Sequence, residues 1–222
     1  MKKTNNQQKI NEKGIIDILE AKIKQYKKEI IFSVGAIIVI VIIATAVSYF
    51  KNQAYQKQWE DLFLAELPLA LAKNGEHPNL VRLEEYAAQN QNSDAGAYAA
   101  LTLGNAYYNS KDYEKAETYF KQALKNGNKE LKPIAESSLI ATLIAREQYQ
   151  QAIQQAQSFE AKYKGHFLSA QVKTHKALAM DFSGDKEGAK VIYAEIIEQY
   201  PSSYSSALAE LQTGAQQPAQ TK

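Results

Sequence analysis

The sequence predicts an all-α protein, with a single N-terminal transmembrane helix followed by an α-solenoid of about three and a half degenerate helix-pair repeats. Three observations support this prediction. Residues 30–50 form an uncharged apolar stretch, apolar residues downstream of it recur at helical spacing, and one pattern of small residues returns every 36–37 positions. The chain has 222 residues, of which 172 follow the apolar stretch, and that length suits one domain.

The apolar stretch Ile30–Phe50 contains 21 residues without a charge. At about 1.5 Å of rise per residue it would span about 30 Å, the thickness of the hydrocarbon core of a bilayer. A cleaved signal peptide is the alternative, since Ala44-Thr45-Ala46 mimics a cleavage site, but both the charged region and the apolar run are longer than signal peptides use. The chain has no Cys, which excludes a lipoprotein processing site.

The charges that flank this stretch predict its orientation. Residues 1–29 carry eight Lys, whereas only Lys51 and Lys57 follow the stretch before Trp59. Short Lys-rich flanks stay on the cytoplasmic side, so we expect a cytoplasmic tail (1–29), a transmembrane helix (30–50) and a domain on the far side of the membrane (51–213). Residues 51–222 have 18 basic and 20 acidic residues and no basic stripe, which argues against nucleic acid as a partner.

The tail before the membrane stretch divides into two parts. Residues 1–13 are rich in Asn, Gln and Lys and are predicted to be disordered. Residues 14–28 show helical spacing, with an apolar stripe formed by Ile15, Ile16, Leu19, Ile23 and Tyr26. This segment is either an amphipathic helix at the inner leaflet or a plain extension of the membrane helix.

The region between the membrane stretch and the repeats predicts two helices and two breaks. A long helix covers residues 51–73, in which Pro68 marks a kink or a new start. Residues 74–78 predict a turn, residues 79–89 a second helix with Leu80, Leu83 and Ala87 facing inward, and residues 90–94 another break.

The stretch Ala99–Leu124 has the most specific pattern in the chain. Two helical patterns flank the polar break Asn109–Asp112. Gly104 and Ala116 allow the two helices to approach closely, and Tyr107 and Phe120 supply the bulk that fills the remaining space.

This stretch resembles the tetratricopeptide repeat family. The residues that match the 34-residue pattern in register are Leu103, Gly104, Tyr107, Ala116, Phe120 and Ala123. The pattern recurs, since Ala152 answers Ala116 after 36 residues and Ala189 answers Ala152 after 37. The second and third copies are degenerate, and residues 59–89 would be an atypical first helix pair. Residues 214–222 are predicted to be a disordered tail.

We find no constellation of residues that predicts catalysis, a cofactor or a metal site. The three His, at positions 77, 166 and 175, have no second His or carboxylate at metal-binding spacing and are expected to be solvated or to cap a helix. The acidic pairs Glu84/Glu85, Glu114/Glu117 and Glu195/Glu198 are expected on solvent-facing helix surfaces. Gly-rich phosphate loops are absent. We therefore expect a non-enzymatic protein with no small-molecule substrate.

The resemblance to tetratricopeptide repeats implies a protein-binding groove lined by the first helix of each pair. The residues that we assign to this groove are Tyr98, Leu101, Thr102, Asn105, Tyr108, Ile134, Ser138, Ile144 and His175. Further groove positions in the same pattern are held by Ser137, Ala141, Gln171, Thr174, Leu178 and Asp181. The groove would be mildly apolar, rich in hydroxyl groups and without clustered charge. Tyr98 and Tyr108 are expected to anchor a partner, unless the Tyr are ordinary surface residues.

The order of tail, anchor and degenerate repeats resembles the family of ancillary SecYEG translocon subunits. That resemblance implies a bacterial inner-membrane protein whose domain 51–213 lies in the periplasm. It also implies association with the Sec channel and with periplasmic chaperones or exported clients. Two other classes stay open, namely a scaffold for envelope assembly or cell division and a membrane-bound regulator that acts through its cytoplasmic helix.

Overall fold

The computed structural model describes residues 14, 16–72 and 79–214, and all regular secondary structure in these ranges is helical. The helices are α1 (16–25), α2 (Lys27–Leu71), α3 (Val81–Gln89), α4 (Asp94–Asn109), α5 (Tyr113–Asn126), α6 (Leu131–Ala145), α7 (Tyr149–Lys162), α8 (Ser169–Phe182), α9 (Lys186–Gln199) and α10 (Tyr204–Thr213). The prediction of an all-α fold is confirmed. The predicted disorder of residues 1–13, the turn at residues 74–78 and all of the predicted tail except Gly214 lie outside the described residues.

The chain divides into two compact units, residues 1–57 and residues 58–222. In the first unit, α1 and α2 meet at Tyr26, whose N–H donates to the carbonyl of Lys22 at 3.0 Å. The N–H of Ile30 in turn donates to the carbonyl of Tyr26 at 2.9 Å, so α-helical hydrogen bonds continue through the junction.

Within the described ranges, α2 is the one helix that is long and apolar enough to cross a membrane. Its apolar side chains between Ile30 and Phe50 are exposed. Within this stretch, the hydroxyl of Thr45 donates to the carbonyls of Val41 and Ile42, at 2.9 Å each. These bonds satisfy the hydroxyl of Thr45 without water, as a lipid environment would require.

In the second unit, the C-terminal part of α2 packs against α3 and α4. Leu62 and Ala65 belong to one buried cluster with Leu83 and Leu103. The helix runs on to Leu71, so Pro68 does not begin a new helix as one reading of the sequence expected. The helix α3 begins at Val81, two residues later than predicted, where the side-chain oxygen of Asn79 accepts the N–H of Val81 at 3.0 Å.

The three repeats are the helix pairs α4/α5, α6/α7 and α8/α9. Ala116, Ala152 and Ala189 occupy the same place near the start of the second helix in each pair, and each is at most 1% exposed. A methyl group at this place lets the two helices of a pair approach closely. The register that the sequence predicted for the three copies is therefore the register of the fold.

The turn inside each repeat is also built in the same way. Lys111, Glu147 and Gly184 each adopt a positive φ, of 64°, 60° and 98°, at positions 36 and 37 residues apart. The N–H of the next residue donates a hydrogen bond to a carbonyl of the first helix, at 2.9 Å in each repeat. The donor and acceptor residues are Asp112 and Tyr107, Gln148 and Leu143, and Asp185 and Met180. These bonds satisfy carbonyl groups at the end of the first helix.

Ion pairs link successive helices from α5 to α9. Arg146 on α6 contacts Glu117 on α5, and the other pairs are Lys162–Glu136 at 3.3 Å, Lys176–Glu160 at 2.9 Å and Lys173–Glu195 at 2.8 Å. Glu117 is 7% exposed, so its expected place on a solvent-facing surface is wrong. Its carboxylate is buried because Lys121 and Arg146 both reach it.

Among the residues of the second unit that the structure describes, the buried side chains form three clusters. The first contains residues of α2, α3 and α4, as described above, and the second extends from α4 to α8 with Phe120 and Phe159 at its centre. The third contains Ala177, Ala189, Tyr193, Ile196 and Ala209 and joins α8, α9 and α10. The helix α8 takes part in both of the last two clusters, because Val172 and Ala179 lie in the second.

Candidate functional site

A cavity of about 270 Å³ opens between the first helices of the three repeats, α4, α6 and α8; we call it the central cavity. Its lining residues are Asn105, Tyr108, Phe120, Ser137, Ser138, Ala141, Gln171 and His175. Asn105 and Tyr108 on α4 lie three positions apart and Gln171 and His175 on α8 four, while Ser137 and Ser138 on α6 lie four and three positions before Ala141, so each set lies on one side of its helix. Seven of the eight come from first helices, and Phe120 reaches the cavity from α5.

Two polar atoms at the central cavity are buried without a hydrogen-bond partner among the described residues. They are the hydroxyl oxygen of Ser137 and Nδ1 of His175. The neighbouring hydroxyls on these helices behave differently: Thr142 donates to the carbonyl of Ser138 at 2.8 Å, and Thr174 donates to the carbonyl of Ala170 at 2.9 Å. Ser137 and His175 therefore keep hydrogen-bonding capacity that their own helices do not use.

The central cavity carries no formal charge at neutral pH. None of its lining residues is Asp, Glu, Lys or Arg, and burial lowers the pKa of His175 to about 4. A neutral imidazole offers one donor and one acceptor. Burial and the nearby Tyr113 raise the pKa of Tyr108, so its hydroxyl keeps its proton. His175 was expected to be solvated or to cap a helix, and neither expectation holds, because its imidazole is largely buried and its Nδ1 is shielded from solvent.

Four of the nine residues that the sequence assigned to the groove line the central cavity, namely Asn105, Tyr108, Ser138 and His175. Leu101 does not, because it is 7% exposed and belongs to the buried cluster around Phe120. Ile144 is half-buried and packs against the same cluster, while Ile134 is exposed on α6.

The remaining two residues, Tyr98 and Thr102, contact the long helix α2. The ring of Tyr98 meets Trp59 edge-on, with centroids 5.9 Å apart. The hydroxyl of Thr102 donates to the carboxylate of Glu66 at 2.8 Å. The surface that the sequence assigned to a partner in the first repeat is thus partly covered by the chain itself. Trp59 and Glu66 lie seven residues apart, two turns of one helix face, and that spacing is the sequence signal for this contact.

A second group of polar residues lies between α3 and α5. The hydroxyls of Tyr107 and Tyr119 both donate to the carboxylate of Glu84, and the two rings stack with centroids 5.6 Å apart. Burial and Glu84 raise the pKa of both Tyr. These hydrogen bonds are satisfied within the protein, so this group ties α3 to the first repeat.

His166, the other described histidine, lies outside the central cavity. His166 caps the start of α8, where its Nδ1 accepts the N–H of Leu168 at 3.2 Å. No group of three or more His, Asp or Glu side chains within the described residues could hold a metal ion. The central cavity is the place where polar side chains from the first helices of all three repeats meet.

Comparison with known proteins gives the family. A family model described as a tetratricopeptide repeat-like domain matches residues 23–203. Among solved structures, the chain is similar to the Arabidopsis OM64 TPR domain, with 17% identity and a TM-score of 0.45, over 52% of this chain and 92% of that chain. No curated protein is a significant match to the sequence. Because the family model covers most of the chain, this protein belongs to the tetratricopeptide repeat-like domain family.

Proposed function

We propose that this protein is a non-enzymatic, membrane-anchored scaffold that holds a protein partner at the central cavity. The observation that supports it most is the convergence of Tyr108, Ser137 and His175, which come from three different first helices. Stacked repeats bind proteins through an extended surface, because side chains from several repeats contact one segment of the partner. Residues 30–50 of α2 would anchor the scaffold in a bacterial inner membrane, with residues 51–213 in the periplasm.

The partners we propose are subunits of the Sec translocon, periplasmic chaperones and exported clients. The lack of charge in the central cavity supports a role with many clients, since uncharged polar groups and a Tyr ring accept segments of varied sequence. Binding should then depend only weakly on salt.

Photocrosslinking from defined positions tests this function. A photoreactive phenylalanine analogue replaces Tyr108 in the central cavity or, as the matched control, Tyr204, which is 85% exposed on α10. We expect the probe at position 108 to crosslink Sec channel subunits, a periplasmic chaperone or an exported protein in intact cells, detected with specific antibodies, and the probe at position 204 not to.

Three results would contradict the proposal. Equal crosslinks from both positions would mean that the central cavity is not the binding surface. Crosslinks from position 108 to division proteins, or to envelope-assembly proteins, would replace the Sec assignment with a different scaffold. A regulator would be indicated by crosslinks from the cytoplasmic tail alone.

A pair of alanine variants tests the contribution of the Tyr108 ring. Tyr108→Ala should weaken capture of the partner by about tenfold, because a hot-spot side chain contributes more than about 1 kcal/mol. Tyr98→Ala serves as the comparison, because that ring packs on Trp59 of α2 rather than in the central cavity. Equal loss in both variants would place the partner over the whole of α4.

A further inference from the structure

Four exposed lysines directly precede the membrane stretch, and we call Lys22, Lys24, Lys27 and Lys28 the lysine collar. We infer that the lysine collar binds the headgroups of anionic phospholipids in the leaflet next to the tail. Lipid binding of this kind builds on the proposed membrane anchoring by residues 30–50, but it does not involve the central cavity. It gives the chain a second kind of partner, which is acidic lipid.

The lysine collar concentrates positive charge in a short segment. Residues 22–28 contain four Lys and no acidic residue, and Glu29 leaves a net charge of +3 over residues 22–29. All four side chains are exposed. None of them forms an ion pair with a described residue, because the ion pairs of the described residues all lie between positions 114 and 195. Their ammonium groups are therefore available to a ligand.

The helix places these charges at the depth of lipid headgroups. Helical hydrogen bonds cross the junction of α1 and α2, so one rise per residue applies from Lys22 to Ile30. With the helix along the membrane normal, Lys27 and Lys28 lie about 3–5 Å beyond the apolar stretch, and Lys22 and Lys24 about 9–12 Å beyond it. The headgroup layer extends about 5–8 Å beyond the hydrocarbon core on each side. The first two lysines thus lie within that layer, and the flexible stems of the other two can reach back to it.

Aromatic side chains at both ends of the membrane stretch support this depth. Tyr26 lies inside the lysine collar and is 49% exposed, while Tyr49 and Phe50 at the opposite end are each 66% exposed. Tyr26 and Tyr49 are about 35 Å apart along a helix, slightly more than the hydrocarbon thickness of about 30 Å. Tyr side chains are enriched at membrane–water interfaces because the ring is apolar and the hydroxyl is polar. Tyr26 therefore keeps the lysines around it at the level of the lipid phosphates.

The charge of the lysine collar selects among phospholipids. The headgroup of a zwitterionic lipid carries an ammonium group beside its phosphate, so its net charge is zero and the attraction is weak. An anionic lipid keeps its negative charge, and each lysine can donate hydrogen bonds to the phosphate oxygens. Clusters of Lys beside a membrane helix are typical of binding to anionic lipid, and the attraction is lost beyond a Debye length.

Electron paramagnetic resonance of spin-labelled lipids tests this inference. The full chain is reconstituted in phosphatidylcholine vesicles with a trace of spin-labelled phosphatidylglycerol or, in a parallel sample, spin-labelled phosphatidylcholine. Lipids in contact with the protein give a motionally restricted signal, which yields an association constant for each lipid. We expect the constant for phosphatidylglycerol to exceed that for phosphatidylcholine by about threefold or more at low salt. The ratio should approach one in about 1 M salt, where the Debye length is about 3 Å.

Three sets of substitutions identify the residues responsible. The preference for phosphatidylglycerol should disappear in the combined variant Lys22→Gln, Lys24→Gln, Lys27→Gln and Lys28→Gln. Arg at the same four positions keeps the charge and should preserve the preference. The matched control removes four exposed lysines of the second unit and should leave the preference unchanged; its substitutions are Lys111→Gln, Lys125→Gln, Lys164→Gln and Lys186→Gln.

Two results would overturn the inference. One is a wild-type ratio near one at low salt. The other is a preference that survives the four Gln substitutions in the lysine collar, which would assign it to other charges, such as Lys51 and Lys57 beyond the opposite end of the stretch.

Alkaline carbonate washing of the same vesicles separates these failures from a failure of the proposed function. A chain that stays in the washed vesicles but shows no lipid preference contradicts the lipid inference alone, and the anchored scaffold stands. A chain that the wash removes contradicts the membrane anchoring and the lipid inference together.

Discussion

Gly104 on α4 lies directly against the ring of Phe120 on α5. A Cβ atom at Gly104 would stand 2.5 Å from Cε1 of that ring, well inside van der Waals contact. Phe120 is 1% exposed and is one of the residues that line the central cavity. The absence of a side chain at position 104 therefore sets the place of Phe120, and through it one wall of the cavity.

Gly104→Ala should lower the free energy of unfolding by roughly 1–3 kcal/mol, because the new methyl group forces the Phe120 ring out of its place. Thermal unfolding followed by circular dichroism measures the loss. Adding Phe120→Leu to this variant should destabilise it by less than Phe120→Leu does alone, since the smaller side chain makes room. An unchanged unfolding midpoint in Gly104→Ala would show that α4 and α5 are not packed this closely.

Glu147→Gly should stabilise the protein by roughly 0.5–1 kcal/mol, because glycine adopts a positive φ without the strain that other residues carry there. The internal comparison is Gly184, which already holds the equivalent place in the third repeat. Gly184→Ala should destabilise the protein by a similar amount. Denaturant unfolding of both variants checks the pair, and changes of the same sign in both would contradict the shared turn geometry.

Glu117→Gln should destabilise the protein at neutral pH by roughly 1–3 kcal/mol, because an uncharged amide binds Lys121 and Arg146 more weakly than the buried carboxylate does. Burial alone would raise the pKa of Glu117, but Lys121 and Arg146 outweigh it and hold the pKa below its usual value of 4.5. A carboxyl group with a lowered folded-state pKa stabilises the fold above its unfolded-state pKa and loses that effect as the pH falls through the folded-state pKa. The difference between variant and wild type should therefore shrink on acidification below about pH 4.5.

Denaturant unfolding at neutral pH and near pH 3.5 measures this change, with the wild type as reference. Glu187→Gln is the control, because Glu187 forms an exposed pair with Lys190 and should matter little at either pH. A gap that stays constant with pH in Glu117→Gln would mean that the Arg146 contact carries no charge-dependent stability.

The orientation of the chain can be measured with single cysteines, since the natural sequence has none. Gln157→Cys, exposed on α7, should react with a membrane-impermeant maleimide added to spheroplasts, whereas Gln8→Cys should react only after lysis. The reverse labelling would invert the proposed topology. A mature protein whose N-terminus lies near Val47 would instead identify a cleaved signal peptide.

Periodicity was enough to predict the repeats, because the positions that matter most are filled by the smallest side chains. Ala116, Ala152 and Ala189 recur at nearly constant spacing, and a helix contact that tolerates only a methyl group leaves that pattern in the sequence. The long helix at the N-terminus was predictable for the same kind of reason, since length and apolar content suffice.

The sequence did not predict the surroundings of residues that contact distant parts of the chain. Glu117 was expected to face solvent, but Arg146 reaches it from the next helix. Tyr86 is 8% exposed, and its hydroxyl donates to the carbonyl of Gln58 on α2 at 2.6 Å. His175 was expected to be solvated, but burial lowers its pKa. A helical wheel shows which face is apolar, but not where a neighbouring helix places a charge or a carbonyl group.

The division of the buried residues into separate clusters implies that the repeats do not open as one unit. The helices α9 and α10 contribute to the third cluster only, whereas the second cluster, from α4 to α8, surrounds the central cavity. In an array of nearest-neighbour contacts, the terminal helices can unfold locally at a lower free energy than the whole. Amide hydrogens of α10 should thus exchange with solvent well before those of α4 and α6, and the carboxyl end can fray while the cavity keeps its shape.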